Sequence, residues 1–187
     1  MSAIAAPRLQ AKPARADDLP PCTWRERLRP YRQGELDSLC GIYAIINALR
    51  WSAGPEVITS RITRGLFWLL TNHAVKEQGN LGLCSGGITI PHQRQLIKIA
   101  ITYLSGEHRL RFGYDVLPAA SLNSLGDTSA SSTATIVDHE AIILNLNYTE
   151  WHWSVLQAVA GDKLKLFDSA GWRTLPRGLS YSPKIGH

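Results

Sequence analysis

WHWSVLQAVAGDKLKLFDSAG, residues 151–171, is the stretch on which the fold turns. Two β-rich runs, HWSVLQAV (152–159) and KLKLFDS (163–169), flank Ala160-Gly161-Asp162, a short connection of the kind that joins adjacent antiparallel strands. His152 opens the first run and Asp168 lies near the end of the second. Folding the hairpin back brings these two side by side, although sixteen positions separate them along the chain. A carboxylate within reach of an imidazole can fix its tautomer and stabilise the imidazolium, which is what a general base needs. Trp151 and Trp153 flank the histidine on alternate sides of the strand, so one is expected to roof a cleft and the other to pack inward.

Outward from the hairpin, AIILNLN (141–147) reads as a third strand and Arg109–Val116 as a fourth. Between them SLNSLGDTSASSTAT (121–135) reads as a Ser/Thr-rich loop. The region before Gly106 has helical spacing instead. In 38–51, Leu39, Ile42, Tyr43, Ile46 and Leu49 share a face, with Asp37 or Ser38 as the expected N-cap. A second helix is expected from about Pro55 to His73 on Val57, Ile58, Ile62, Leu66, Leu69 and Leu70. Pro91 announces a third, carried by Leu96, Ile97, Ala100, Ile101 and Leu104. QGNLGLCSGG (78–87) reads as a Gly-rich loop without the lysine and hydroxyl of a phosphate cradle. Helices followed by an antiparallel sheet make an α+β domain.

Residues 1–30 are rich in Pro, Ala and Arg and lack periodicity, so a disordered or loosely docked basic arm is expected there, with one domain over 31–187. The net charge is +5, but residues 1–32 hold seven Lys/Arg against three acids while the rest carries thirteen against twelve. A basic arm on a nearly neutral domain argues against a specific nucleic-acid partner. No stretch reaches the roughly 18 apolar residues of a membrane span, and the N-terminus lacks a secretory apolar region, so a cytoplasmic, soluble protein is expected. Cys22, Cys40 and Cys84 form no CxxC pair and no zinc-like spacing with histidine, and no metal or other cofactor is expected.

Of the three cysteines, Cys40 stands apart. It falls in the first turn of an amphipathic helix, where backbone N–H groups and the helix dipole favour the thiolate. Gly41 follows it and leaves room for a substrate carbonyl. Gln33, seven residues earlier, carries a side-chain amide able to donate to a developing oxyanion beside the Cys40 N–H. Cys40, His152, Asp168 and Gln33 are therefore the candidate catalytic residues, with His139 and His73 as rival bases.

Gln33 followed by Cys40-Gly41 at a helix start, then HWSV and LFDSAG, resembles the papain-like cysteine peptidase superfamily. WHWSVLQAVAGDKLKLFDSAG is similar to the His–Asp hairpin of proteases that process SUMO and other ubiquitin-like proteins, and RQGELDSLCGIYA to their Gln…Cys-Gly segment. The Cys-first order is instead that of papain and of the bacterial peptidases that cleave double-glycine leaders. Two departures stand out: the Gln-to-Cys gap is one residue longer than usual, and Leu39 precedes the cysteine where Asp or Ser is frequent. The resemblance implies a papain-like fold, an N-terminal helical part carrying the Cys and a C-terminal antiparallel sheet carrying His and Asp. It also implies a thiol hydrolase of peptide or isopeptide bonds, whose partner is a peptide or protein substrate of ubiquitin-like or leader-peptide type. Two alternatives stay open at this point. One is an acyltransferase of transglutaminase-like or arylamine-acetyltransferase-like type, which shares the thioester. The other is a non-catalytic binding module on a degenerate protease fold.

Overall fold

The structure, a computed structural model, describes residues 6–11, 23–34, 38–117, 134–135, 139–147 and 151–176. Strand β1 (Ala6–Ala11) is followed by a short 3-10 turn and three helices, α1 (Cys40–Ala53), α2 (Ser60–Gly86) and α3 (Ile90–His108). The remaining strands are β2 (Phe112–Leu117), β3 (Ala134–Thr135), β4 (Glu140–Asn147), β5 (Trp151–Ala160), β6 (Lys163–Phe167) and β7 (Thr174–Pro176). They form one antiparallel sheet in the order β2-β1-β4-β5-β6-β7, with β3 paired to β5. The α+β expectation holds.

Twelve of the fourteen residues of α1 are buried, which makes it the central helix rather than a surface one. It packs with Ala141, Ile143, Trp153, Val155 and Phe167 of the sheet and with α2 and α3 in one apolar core. The opposite sheet face holds a second cluster of Ile142, Leu144, Leu146, Leu156, Leu164 and Leu166, against which Trp172 and Leu175 pack. Burial on both faces explains why Ala141–Leu144 reads as a continuous apolar run without alternation. Among the described residues no helix is long and apolar enough to cross a membrane.

Three expectations are corrected. Residues 6–11 were expected in a disordered or loosely docked arm, yet they form β1, paired on one side with β2 and on the other with β4. Leu9 at its centre is wholly buried. Residues 23–34 are docked as well. The Tyr31 N–H donates to Asn47 Oδ1 (2.8 Å) and the Asn47 amide donates back to the Tyr31 carbonyl (3.1 Å), while Leu28 is buried in the main core. The Gly-rich stretch expected as a loop continues α2 to Gly86, with a break at Gly79 (φ 71). Finally, α1 begins at Cys40 itself with Leu39 as N-cap and no side-chain cap. Asp37, Cys22 and most of the 121–135 loop lie outside the described residues, as do the side chains of Cys84 and Trp151.

Because β1 lies between two other strands, the sheet cannot close without it. Leu9→Ala should cost about 2–5 kcal/mol, as other emptied core leucine sites do. Deleting residues 1–11 should abolish cooperative unfolding. Thermal melts followed by circular dichroism check both, and an unchanged transition in the truncated chain would return β1 to the status of an arm.

Candidate active site

The hairpin fixes the first half of the site. β5 and β6 join through Gly161-Asp162, where Gly161 takes the positive φ of 58° that side chains resist. The register pairs Val155 with Phe167 and Leu156 with Leu166. Carried one residue further, it sets Ser154 opposite Asp168, with His152 two residues beyond on the same face. His152 Nε2 and Asp168 Oδ2 are 2.6 Å apart, and both side chains are buried, with exposures of 8% and 0%.

The second carboxylate oxygen is also used. Asp168 Oδ1 accepts from the backbone N–H of Ala170 (2.8 Å) and of Trp172 (3.1 Å), so one side chain shapes the 168–172 loop. Burial works to raise the Asp168 pKa, but the hydrogen bond and charge of His152, with the Trp172 N–H, outweigh it and hold the carboxyl below its ordinary range. The loop places Trp172 over the imidazole, with ring centroids 4.7 Å apart and a 42° tilt.

Cys40 completes the group from the other side. Cys40 lies near enough to His152 for its side chain to act on the imidazole beside Asp168. With Nε2 given to the carboxylate, Nδ1 is the nitrogen left for the thiol. Burial works to lower the His152 pKa, but the hydrogen bonds and negative charges of Asp168 and Cys40 overcome it and raise the value to about 9. The rival histidines are elsewhere: His139 contacts the Ser52 carbonyl and His73 the Gln95 side chain.

The start of α1 is held from the helical side. The Gln93 amide donates to the Gly41 carbonyl (2.9 Å), and the Trp153 indole N–H donates to the Ile88 carbonyl (2.6 Å). A Cβ on Gly41 would stand 2.5 Å from Gln93 Oε1 and 3.0 Å from Ile88. Gly41 is thus required by close packing, and not only by the approach of a substrate as its position beside Cys40 suggests. The Leu39 carbonyl accepts from Ile42 and Tyr43, so the N–H groups of Cys40 and Gly41 have no acceptor within the helix. No family model, curated protein or solved structure matches this chain. The reading of the site therefore rests on its own geometry.

Gln33 is placed beside the loop that carries Asp168. Its N–H donates to the Ser169 carbonyl (3.2 Å), and its Oε1 accepts from the Ser169 hydroxyl (3.1 Å). Holding the carbonyl end leaves the NH2 group as the donor end. The sequence reading missed Trp172 and the Gln93–Ile88 buttress. Trp172 could have been suspected from the Asp-x-x-x-Trp spacing, in which a carboxylate caps the amides just after it. Of the two tryptophans expected to divide between roofing a cleft and packing inward, Trp153 packs inward against Ile88, the side chain of Trp151 lies outside the described residues, and Trp172 lies against the imidazole.

The pair has a definite pH signature. Because folding raises the His152 pKa from 6.5 to about 9, its contribution to stability is complete below pH 6.5 and is lost as pH rises through about 9. Because folding depresses the Asp168 pKa, its contribution is complete above 3.8 and is lost as pH falls through the lower folded value. In Asp168→Asn the imidazole midpoint should fall by about one unit or more, since an adjacent opposite charge commonly shifts a pKa by 1–3. NMR titration of the His152 ring protons checks this, and an unmoved midpoint would mean that Asp168 is not its electrostatic partner.

Proposed function

We propose that the chain is a papain-like thiol hydrolase cleaving peptide or isopeptide bonds, with Cys40 as nucleophile, His152 as proton carrier and Asp168 as its orienting group. The observation that carries this reading is the position of His152, hydrogen-bonded to Asp168 and close enough to Cys40 for that side chain to act on its pKa. Three separate elements, α1, β5 and the end of β6, converge there. A nucleophile at a helix start facing a His–Asp pair on adjacent strands also supports the papain-like assignment.

The chemistry follows from the roles. The Cys40 sulfur adds to the substrate carbonyl carbon while His152 carries the proton. The tetrahedral adduct collapses when His152 protonates the departing amine, which leaves a thioester on Cys40. Water, losing a proton to His152, then attacks the thioester carbonyl and releases the acid and the free thiol. The oxyanion of each adduct is served by the Cys40 N–H at the uncapped helix end, and the Gln33 amide is the second donor this reading assigns. Cys40 is only 6% exposed and Trp172 lies over the base, which favours a small residue such as glycine at the scissile bond.

Cys40→Ala should abolish turnover of C-terminal-glycine peptides without lowering the melting temperature. In the wild-type protein iodoacetamide should label Cys40 rapidly near pH 7, and His152→Ala should slow this by about 100-fold, within the range of general acid–base contributions. Asp168→Asn should be milder, because the loss of about 10⁴ seen in serine enzymes reflects a far weaker nucleophile. Its remaining activity should fall off at lower pH on the alkaline side than in the wild type. Labelling no faster than that of a free thiol, and indifferent to His152, would sink the proposal.

A further inference from the structure

Beside the triad lies a cleft of about 470 Å³ whose walls come from two distant parts of the chain, residues 25–32 and residues 165–174. Its lining includes Arg25, Arg29, Arg32, Lys165 and Arg173 against two acids, Glu26 and Asp168. Asp168 is already paired with His152. Among the described residues Arg29, Arg32, Lys165 and Arg173 make no ion pair with a carboxylate. Cations gathered this way repel one another, a cost that a bound anion removes.

The arrangement is built, not incidental. Gln33 ties the first wall to Ser169 through its backbone and its side chain. Gly171 takes φ 92, which side chains resist, and a Cβ there would lie 2.8 Å from the Arg32 guanidinium, so Arg32 reaches across to the second wall. β5 bulges at Gln157, which also lines the cleft. Trp172 belongs both to the cleft and to the cover of His152, and Asp168 belongs both to the cleft and to the triad. Through these two residues the cleft adjoins the His152–Asp168 pair.

We propose that the cleft is a specificity subsite for an acidic stretch of the peptide substrate, two or three Asp or Glu residues flanking the scissile bond. This deepens the thiol-hydrolase reading and rests on it. Arginine, which supplies most of the cations, presents a planar fork that matches a carboxylate with two parallel hydrogen bonds. The recessed shape and the continuity with the triad favour a peptide over a nucleic acid, which would call for a longer basic track.

The test uses fluorogenic peptides that share one glycine-containing core, flanked on either side by Glu, Gln or Lys triplets. Wild-type protein should favour the Glu-flanked peptide over the Gln-flanked one by about tenfold in kcat/KM, and 0.5 M salt should erase much of the preference. Arg32→Glu with Arg173→Glu, both exposed positions, should reverse the order. Melting temperature reports whether the double variant folds, and Arg32→Gln with Arg173→Gln repeats the test with smaller perturbation. Anisotropy of a labelled Glu-rich peptide on the Cys40→Ala protein measures the cleft without chemistry. Binding that the charge-reversed pair abolishes, in a protein that cleaves nothing, would uphold the cleft and overturn the hydrolase. Cleavage with no charge preference would do the reverse. A single-stranded oligonucleotide that displaces the acidic peptide at lower concentration would overturn the peptide assignment.

Discussion

The alternation of β5 is the constraint on which the site depends. Consecutive residues of a strand face opposite ways, so His152 looks toward Asp168 while Trp153 looks toward the helices. Trp153 grips the Ile88 carbonyl, and Ile88 packs at Gly41, so the strand that presents His152 also braces the start of α1, where Cys40 lies. A slip of one residue in the β5–β6 register would turn both side chains to the wrong faces. The two-residue turn at Gly161-Asp162 and the apolar pairs Val155–Phe167 and Leu156–Leu166 oppose such a slip, since either pair would lose its burial.

Burying a histidine–carboxylate pair carries a large desolvation cost that attraction alone does not reliably offset. Here the carboxylate is satisfied on both oxygens, one by the imidazole and the other by two loop amides. This gives Asp168 two jobs that no single measurement of charge separates. It holds the imidazole, and it folds the loop that brings Trp172 over the ring. The indole then keeps water off one face of the base and strengthens the electrostatics beneath it. A neutral isostere at 168 keeps some of the loop-forming acceptors while losing the charge. It thereby separates the geometric role from the electrostatic one.

How much of this was legible in the sequence varied with the kind of force involved. The hairpin and α1 were visible because their side chains carry the pattern, period two in one case and helical spacing in the other. β1 was not. In APRLQA the side chain of Leu9 is buried, and the place of the segment in the sheet comes from backbone pairing that composition does not encode. Pro7 is also unusual within a strand, since proline cannot donate to a ladder. It is tolerated because pairing with β4 covers only Arg8–Gln10, so Pro7 has a strand neighbour on the β2 side alone. The glycines at 79–87 suggested a loop on conformational grounds, yet only Gly79 leaves helical geometry within α2. The nearness of His152 to Asp168 was legible from their places on the hairpin. The fit of Gly41 against Gln93 is a tertiary contact with no local signal.

The uneven charge of the chain gains a meaning from the same contacts. An arginine-rich segment outside a domain would be a solvated extension whose field decays within about a Debye length, roughly 8–10 Å at physiological salt. Tyr31 and Gln33 instead clamp that segment to Asn47 of α1 and to Ser169. Its backbone is thereby fixed, which keeps Arg25, Arg29 and Arg32 along one wall of a cleft whose partly enclosed surroundings focus a field instead of dispersing it. Arg50 shows the same economy. It stacks on Tyr31 at 4.3 Å and donates to the Arg29 carbonyl at 2.9 Å, and burial lowers its pKa. A cation placed that way contributes by packing and hydrogen bonding to backbone, and it leaves the cleft arginines on the segment it supports to face outward. The positive excess near the N-terminus therefore acts through architecture, since the segment that bears it is one wall of a cleft lined by five cations.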